Sequence, residues 1–176
     1  MCGIAGIIHR GKSSNVGREM TTMLQALRHR GPDSTGFAVY GGSKPGDILM
    51  RIKVAEREDM DKGRGILKRI KERITGVDEI LHEHGATIKE SENCTPYALR
   101  YVINHDGNTE EMAQHLEEIE GVEILSLGRG LELVKDLGDA TAVSDAYGLD
   151  SFEGTHAIGH ARMATESDVD IRSAHP

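Results

Sequence analysis

The chain opens with Met1-Cys-Gly-Ile-Ala-Gly-Ile-Ile8, a run of small and branched apolar residues with a cysteine in second place. Isoleucines separated by glycine and alanine predict a buried β-strand over residues 2 to 9. Aminopeptidases remove Met before small residues, so the mature chain is expected to begin at Cys2. The segment therefore predicts a thiol and a free α-amine on one residue, at the start of a strand.

Such a residue combines a nucleophile with a base. A terminal amine has an ordinary pKa of roughly 7.7–8.0, so much of it is unprotonated near neutral pH. A thiol has an ordinary pKa of roughly 8.5 and attacks as the thiolate. The amine can take the proton of the thiol beside it, as in enzymes with N-terminal nucleophiles. Taken alone, the pattern also fits an ordinary buried cysteine, so more distant residues must decide.

Outward from this strand, hydrophobic spacing predicts alternating helices and strands. Ser13, Ser14 and Asn15 offer N-cap oxygens for a helix that runs to about Leu27 and is stopped by Gly31-Pro32. Further strands are predicted at 36–40, 48–54, 97–103, 122–127 and from Thr155 onward, and further helices at about 66–74, 108–119 and 140–147.

The character of the sequence changes near Glu56, where a strand–helix–strand grouping begins. We interpret this grouping as a small α/β unit inserted into a parent domain. Three segments are therefore predicted: the first part of the parent domain at 1–55, the inserted unit at 56–135, and the continuation of the parent domain at 136–176.

Composition excludes several classes of function. The formal net charge of −8 argues against a nucleic-acid-binding surface, which needs a basic face. No apolar run approaches the roughly 20 residues of a membrane helix, and no signal peptide is evident, so a reduced, cytoplasmic setting is expected. His82 and His84 do not share a helix face, and Cys94 is predicted to be a loop thiol, so neither a metal nor a cofactor is expected.

Four segments carry a resemblance to a known family. They are Cys2-Gly-Ile-Ala-Gly-Ile7, Arg28-His-Arg-Gly-Pro-Asp-Ser-Thr-Gly36, Gly159-His-Ala-Arg-Met-Ala-Thr165 and Ala174-His-Pro176. In this order they resemble the class II, or N-terminal-nucleophile, glutamine amidotransferases. The long insertion and the run from Tyr147 to His156 are most similar to glutamate-synthase-related amidotransferase subunits. The resemblance covers residues 1 to about 55 and 140 to 176.

The resemblance implies a fold and an activity. The fold would be α+β, an N-terminal-nucleophile hydrolase αββα sandwich, incomplete here, with the α/β unit inserted. The activity would be hydrolysis of L-glutamine through a thioester on Cys2, with ammonia passed to a synthase domain or subunit, most plausibly one like glutamate synthase.

The resemblance also implies roles for individual residues. Cys2 would be nucleophile and base. Arg162 would bind the glutamine α-carboxylate through two parallel hydrogen bonds, and Thr165 would hold the same end of the substrate. Residues Arg30, Gly31 and Asp33 would shape the pocket. Structural alternatives stay open: a surface ion pair for Arg162, turn capping for Arg30 and Asp33, and hydrogen-bonded structural roles for His160 and His175.

Two parts of the family's site are expected later in a chain than the Ala-His-Pro segment. They are the Asn-Gly pair of the oxyanion hole and an acidic residue for the glutamine amine. Asn104-His-Asp-Gly107 is out of order and is predicted to be a turn. We therefore expect a truncated product, an engineered piece or one part of a split enzyme. The competing readings are a non-catalytic binding or regulatory module, and a hydrolase of another amide.

Overall fold

The computed structural model describes residues 2–31, 33–41, 43–163 and 174–175, with only the backbone described at positions 62 and 64. In these residues the chain forms eight strands and four α-helices. They are β1 (Gly3–Ile8), α1 (Val16–Ala26), β2 (Ser34–Tyr40), β3 (Asp47–Lys53), α2 (Arg64–Glu83), β4 (Thr87–Thr95), β5 (Ala98–Asn104), α3 (Thr109–Glu117), β6 (Glu123–Gly128), β7 (Leu131–Leu137), α4 (Ala140–Tyr147) and β8 (His156–Arg162). Short 3₁₀ helices span Arg28–Arg30, Arg57–Lys62 and Leu149–Ser151.

The chain divides into two compact units. The first contains Met1–Gly42 and Gly130–Pro176, and the second contains Ser43–Arg129. These boundaries differ from the predicted segment boundaries at 55/56 and 135/136. The reason is strand pairing: β3 pairs with β5 and β6 of the second unit, whereas β7 pairs with β2 of the first.

The first unit is a four-stranded antiparallel sheet in the order β1-β8-β2-β7, with α1 and α4 packed on one face. The packing of α1 on β8 is close, because a Cβ atom built on Gly159 would lie 2.5 Å from Leu24 Cδ1 and 2.9 Å from Met20 Sδ. The core between sheet and helices consists of fully buried apolar side chains. They are Val16, Met20, Leu24, Phe37, Val39, Val134, Val143 and Leu149.

Local signals set helix ends in this unit, and the Asn15 cap is one that the sequence predicts. The Asn15 side chain accepts a hydrogen bond from the Arg18 N–H at 3.0 Å, which caps α1. The Asp139 side chain does the same for α4 through the Ala142 N–H, and this hydrogen bond lowers the pKa of Asp139. Gly148 ends α4 in the left-handed conformation, with φ of 64°.

The opposite face of this sheet is partly exposed. Ile4 is 72% exposed, Ile8 77% and Ile158 45%. The strand prediction at residues 2 to 9 is therefore confirmed, but the prediction that it is buried is wrong for alternate residues. Strand β1 lies at the edge of the sheet. Because successive side chains of a strand point to opposite faces, its even-numbered side chains point away from α1 and α4.

The second unit is an antiparallel sheet in the order β4-β5-β3-β6, accompanied by α2 and α3. Its β-α-β-β-α-β connectivity is that of the ferredoxin-like motif. Tyr101 Oη donates to Asp78 Oδ1 at 3.0 Å, which ties the sheet to α2. This unit is a compact α/β element that spans Ser43–Arg129.

Strand β3 departs from its predicted half-buried character, since all seven of its residues are buried. Its charged side chains are compensated by partners. Lys53 Nζ lies 2.9 Å from Glu56 Oε1 and 2.8 Å from Glu123 Oε2, and Lys89 pairs with Asp47. Strand β3 can therefore bury both of its faces, because burying a charge that has a partner costs less free energy than burying an unpaired one.

The predicted α+β class is confirmed in its coarse form, two antiparallel sheets and four helices. Two strands, β4 and β7, are not predicted. Cys94 lies in β4, so its prediction as a loop thiol is wrong. None of the helices in the described residues is long and apolar enough to cross a membrane.

Two glycines at the second position of a helix provide a matched test of the packing. A Cβ atom on Gly17 of α1 would lie 1.9 Å from the Leu149 carbonyl oxygen, whereas one on Gly65 of α2 would meet no atom within 4 Å. We expect Gly17→Ala to reduce the free energy of unfolding by about 1–3 kcal/mol or more through overpacking. Gly65→Ala should be neutral or stabilise by up to about 1 kcal/mol. Thermal unfolding followed by circular dichroism measures both; equal melting temperatures would contradict the packing of α1 against the Leu149 turn.

Candidate active site

The register of the first unit brings chain-distant residues to one end of its sheet. Arg162, the last residue of β8, pairs with Ser34, the first residue of β2. On the other side of β8, Ala161 pairs with Gly3. Continuing that register by one residue puts Cys2 opposite Arg162. Directly opposed residues of an antiparallel pair point to the same face, so Cys2, Arg162 and Ser34 share one face.

Cys2 and Cys94 are both free thiols, and Cys2 is exposed. The predicted nucleophile therefore lies at the open edge of the sheet, where a small molecule can reach it.

The loop after the Arg28–Arg30 turn passes directly over the backbone at the end of β8. A Cβ atom on Gly31 would lie 2.5 Å from the carbonyl carbon and oxygen of Ala161 and 2.5 Å from the carbonyl carbon of Arg162. Only glycine fits such an approach. The Asp33 N–H donates to the Arg162 carbonyl oxygen at 3.2 Å, and the Asp33 carbonyl accepts from the Gly138 N–H at 3.0 Å.

The predicted site residues are thus partly assembled. Gly31 and Asp33 lie at the end of β8 with Arg162, next to the start of β1. Arg30 belongs to the same turn and its side chain is exposed. Thr165 lies outside the described residues.

Three polar side chains on this face are buried: Ser34 is 0% exposed, and His160 and Arg162 are each 7% exposed. The His160 ring contacts the His175 ring edge-on, with centroids 5.4 Å apart. Among the described residues, neither Ser34 Oγ nor His160 Nδ1 has a hydrogen-bond partner. Among the described residues, His160 Nδ1 therefore lacks the hydrogen bond that the alternative, a hydrogen-bonded structural role, would require. Ser34 was missed by sequence reasoning, although it lies within the quoted Arg28–Gly36 segment.

The electrostatics of the site favour a neutral imidazole at His160. Burial lowers the pKa of His160, and the neighbouring His175 and Arg162 lower it further. His160 is therefore available near neutral pH as an uncharged group with one N–H donor.

In the part of the chain that the structure describes, no three His, Cys, Asp or Glu side chains form a group that could hold a metal ion. His84 Nε2 lies 2.8 Å from His115 Nδ1 on α3.

The lowered pKa of His160 predicts a pH-dependent stability. The unfolded chain takes up a proton as the pH falls through about 6.5, while the folded chain does so only at lower pH. The free energy of unfolding should therefore fall as the pH drops below about 6.5, down to the folded pKa of His160. In His160→Asn this contribution should be absent, so the melting temperature should decline less between pH 7 and pH 5 than in the parent chain. An identical decline in both proteins would contradict the buried, neutral imidazole.

The two thiols should differ in reactivity. Burial raises the pKa of Cys94, although the Arg51 guanidinium, whose Nη1 lies 3.4 Å from Cys94 Sγ, opposes the shift. With limiting iodoacetamide at neutral pH, we expect Cys2 to be alkylated about tenfold faster or more, because thiolate is the reactive form. Peptide mapping against time measures both rates, and equal rates would contradict the burial of Cys94.

Comparison with known proteins relates the chain to glutamine-dependent enzymes. A protein of Methanothermobacter thermautotrophicus, provisionally named a glutamine amidotransferase, is 38% identical over 179 residues, covering 100% of this chain and 56% of that protein. The glutamine amidotransferase-like protein GlxB of Rhizobium meliloti is 28% identical over 178 residues, covering 100% of this chain and 54% of GlxB. A protein of Methanocaldococcus jannaschii, provisionally named a glutamine-hydrolysing asparagine synthetase, is 36% identical over 63 residues, covering 36% of this chain and 12% of that protein.

No protein-family profile matches the chain. The chain spans about half the length of the first two curated relatives that it matches. By homology along its entire length, the chain is related to proteins named as glutamine amidotransferases.

Proposed function

We propose that the chain belongs to a class II glutamine amidotransferase domain, which hydrolyses L-glutamine with Cys2 as the N-terminal nucleophile. The observation that carries this proposal is the strand register at one end of the first sheet. It supports a common site for an exposed thiol, a buried guanidinium and a tight glycine loop, from three distant parts of the sequence. The glutamine amidotransferase names of the full-length relatives support the same function.

The proposed hydrolysis by Cys2 requires no cofactor. After removal of Met1, the α-amine takes the thiol proton and the thiolate attacks the side-chain amide carbon of glutamine. The amine then returns the proton to the leaving nitrogen, the carbon–nitrogen bond breaks, and ammonia departs from a thioester. Water, deprotonated by the same amine, attacks the thioester and releases glutamate and the thiol.

Arg162 is the proposed anchor for the substrate. A guanidinium binds a carboxylate through two parallel hydrogen bonds, which fixes both the position and the orientation of the amino-acid end. The Asp33 N–H bond to the Arg162 carbonyl holds the loop against the strand that carries this arginine. We assign Arg30, Gly31 and Asp33 to the wall of the pocket, and Thr165 to the same end of the substrate.

The exposed face of the first sheet supports the sandwich architecture in the proposal. Ile4, Ile8 and Ile158 present apolar surface that an opposing sheet would cover. The relatives extend well beyond the part that this chain matches. We assign the second sheet, the oxyanion hole and the group that binds the glutamine amine to sequence like the parts of the relatives that this chain does not match. We propose that such sequence is supplied by the same chain or by another chain.

The proposed fate of the ammonia is transfer to a synthase domain or subunit, with one related to glutamate synthase favoured by the long insertion. The relative from Methanocaldococcus jannaschii has a name that couples glutamine hydrolysis to a synthetase. No cofactor takes part in the proposed half-reaction. Reduced thiols suit a cytoplasmic location.

The proposal predicts specific alkylation of Cys2 by 6-diazo-5-oxo-L-norleucine, a reactive glutamine analogue. Intact mass should show loss of Met1 and a single adduct, and peptide mapping should assign it to Cys2. Cys2→Ser should give no adduct. Arg162→Lys should raise the analogue concentration for half-maximal labelling rate about 10- to 100-fold, because one bidentate, charge-assisted contact is lost.

Arg10→Lys is a matched control, since Arg10 is exposed on the same unit and has no role in the proposed site. Its labelling should equal that of the parent chain. Retained Met1, or labelling of Cys94 in place of Cys2, would overturn the catalytic proposal and favour the alternative of a non-catalytic binding or regulatory module.

A further inference from the structure

Two buried polar atoms beside the proposed site are left without a partner in the described residues. Ser34 is 0% exposed and its Oγ makes no hydrogen bond, and His160 is 7% exposed and its Nδ1 makes none. Buried donors and acceptors without a partner are costly and rare in folded proteins. A ligand group beside these two atoms would supply the missing hydrogen-bond partners.

Both side chains belong to the face that Cys2 and Arg162 share. Ser34 is directly opposite Arg162 across the β2–β8 pair, and His160 precedes Arg162 by two residues on β8, opposite Gly36. The β2 residues on this face, Ser34, Gly36 and Ala38, are all small. Their β8 partners, Arg162, His160 and Ile158, are all long. Ser34 and Gly36 are therefore the small residues of this part of the face, opposite the long Arg162 and His160 side chains.

Ser34, His160 and Arg162 offer donors that match a carboxylate. The neutral His160 ring can carry its proton on Nδ1, and the Ser34 hydroxyl has an O–H, so each can donate one hydrogen bond beside the Arg162 guanidinium. A carboxylate accepts about four hydrogen bonds and donates none when ionised. A carboxylate therefore has an acceptor position for each of the three groups.

The spacing also suits an α-amino acid with a five-carbon skeleton. Neighbouring strands lie about 4.7–4.9 Å apart. Four carbon–carbon bonds of about 1.52 Å in a zigzag separate the two ends of glutamine by about 5 Å. A side-chain amide carbon above Cys2 on the β1 side thus puts the α-carboxylate above β8, within reach of Arg162, His160 and Ser34.

We propose that Ser34 Oγ and His160 Nδ1 are substrate-binding groups that, beside Arg162, hold the α-carboxylate of glutamine. This proposal rests on the proposed function and adds two residues to it. In this role the His160 imidazole donates its Nδ1–H. A substitution that keeps a donor near the Nδ1 position should therefore preserve binding, whereas one that keeps a donor only near the Nε2 position should not.

The experiment compares Ser34→Ala, His160→Asn and His160→Gln with the parent 176-residue chain. The readout is the rate of Cys2 labelling as a function of 6-diazo-5-oxo-L-norleucine concentration, which separates the half-saturating concentration KI from the maximal rate kinact. Asn keeps an N–H donor near the position of Nδ1, whereas Gln keeps one near Nε2. We expect Ser34→Ala and His160→Gln each to raise KI about tenfold with kinact nearly unchanged, and His160→Asn to restore KI to within about threefold of the parent value.

Two controls separate binding from folding. Ser144→Ala removes another buried hydroxyl without a hydrogen-bond partner in the described residues, on α4 and away from the proposed site. It should leave KI unchanged. Iodoacetamide, which lacks an α-carboxylate, should label Cys2 at the same rate in all variants. The melting temperature of Ser34→Ala without ligand should be unchanged or higher, since an unpaired buried hydroxyl is removed.

The outcomes are distinct. If the parent chain is labelled and Ser34→Ala and His160→Gln keep the parent KI, this inference is overturned while the proposed function stands. An equal rise in KI for His160→Asn and His160→Gln, with a lower melting temperature in both, would show a structural role for His160 and overturn its assignment as a donor. A parent chain that iodoacetamide labels but the analogue does not would overturn the proposed function, and this inference with it.

Discussion

The antiparallel pairing of β8 with two strands at once is the constraint on which the first unit depends. The last strand of the described residues, β8, inserts between β1 and β2, so that β1 and β2 do not pair with each other. Because side chains alternate strictly along a strand, this single register decides which residues meet the helices and which meet the opposite face. A slip of one residue would turn Arg162 and His160 into the helix layer and bring Ala161 and Gly159 to the other side.

The absence of a side chain at Gly31 is the second condition for the site. The chain can cross the end of β8 closely enough for Asp33 to donate its N–H to the Arg162 carbonyl. That bond joins the loop to the end of β8, beside the last β2–β8 pair of Ser34 and Arg162. The loop and the strand end are therefore held together by backbone contacts.

Sequence reasoning succeeded where the signal was local. Asn15 caps α1 from within one turn, as predicted, and both α1 and α4 lie in segments that are predicted to be helical. It failed where burial depends on distant pairing. Strand β4 is exposed and polar along most of its length and shows no apolar alternation. Strand β3 is buried on both faces because its charges find partners elsewhere in the sequence. Ser34 and His160 became candidates only once the register had put them beside Arg162, whereas Cys2 and Arg162 were evident from motifs.

The two ends of the second unit are joined to each other by a hydrogen bond. Tyr40 at the end of β2 pairs with Leu131 at the start of β7, and in the second unit Ser43 Oγ donates to the Arg129 carbonyl oxygen. The inserted residues thus leave and rejoin the parent sheet where a β-hairpin turn would otherwise stand. A folded insert whose own ends adjoin closes that gap with little loss of chain entropy, as a short turn would. A change in the length of this insert therefore need not disturb the strands on either side.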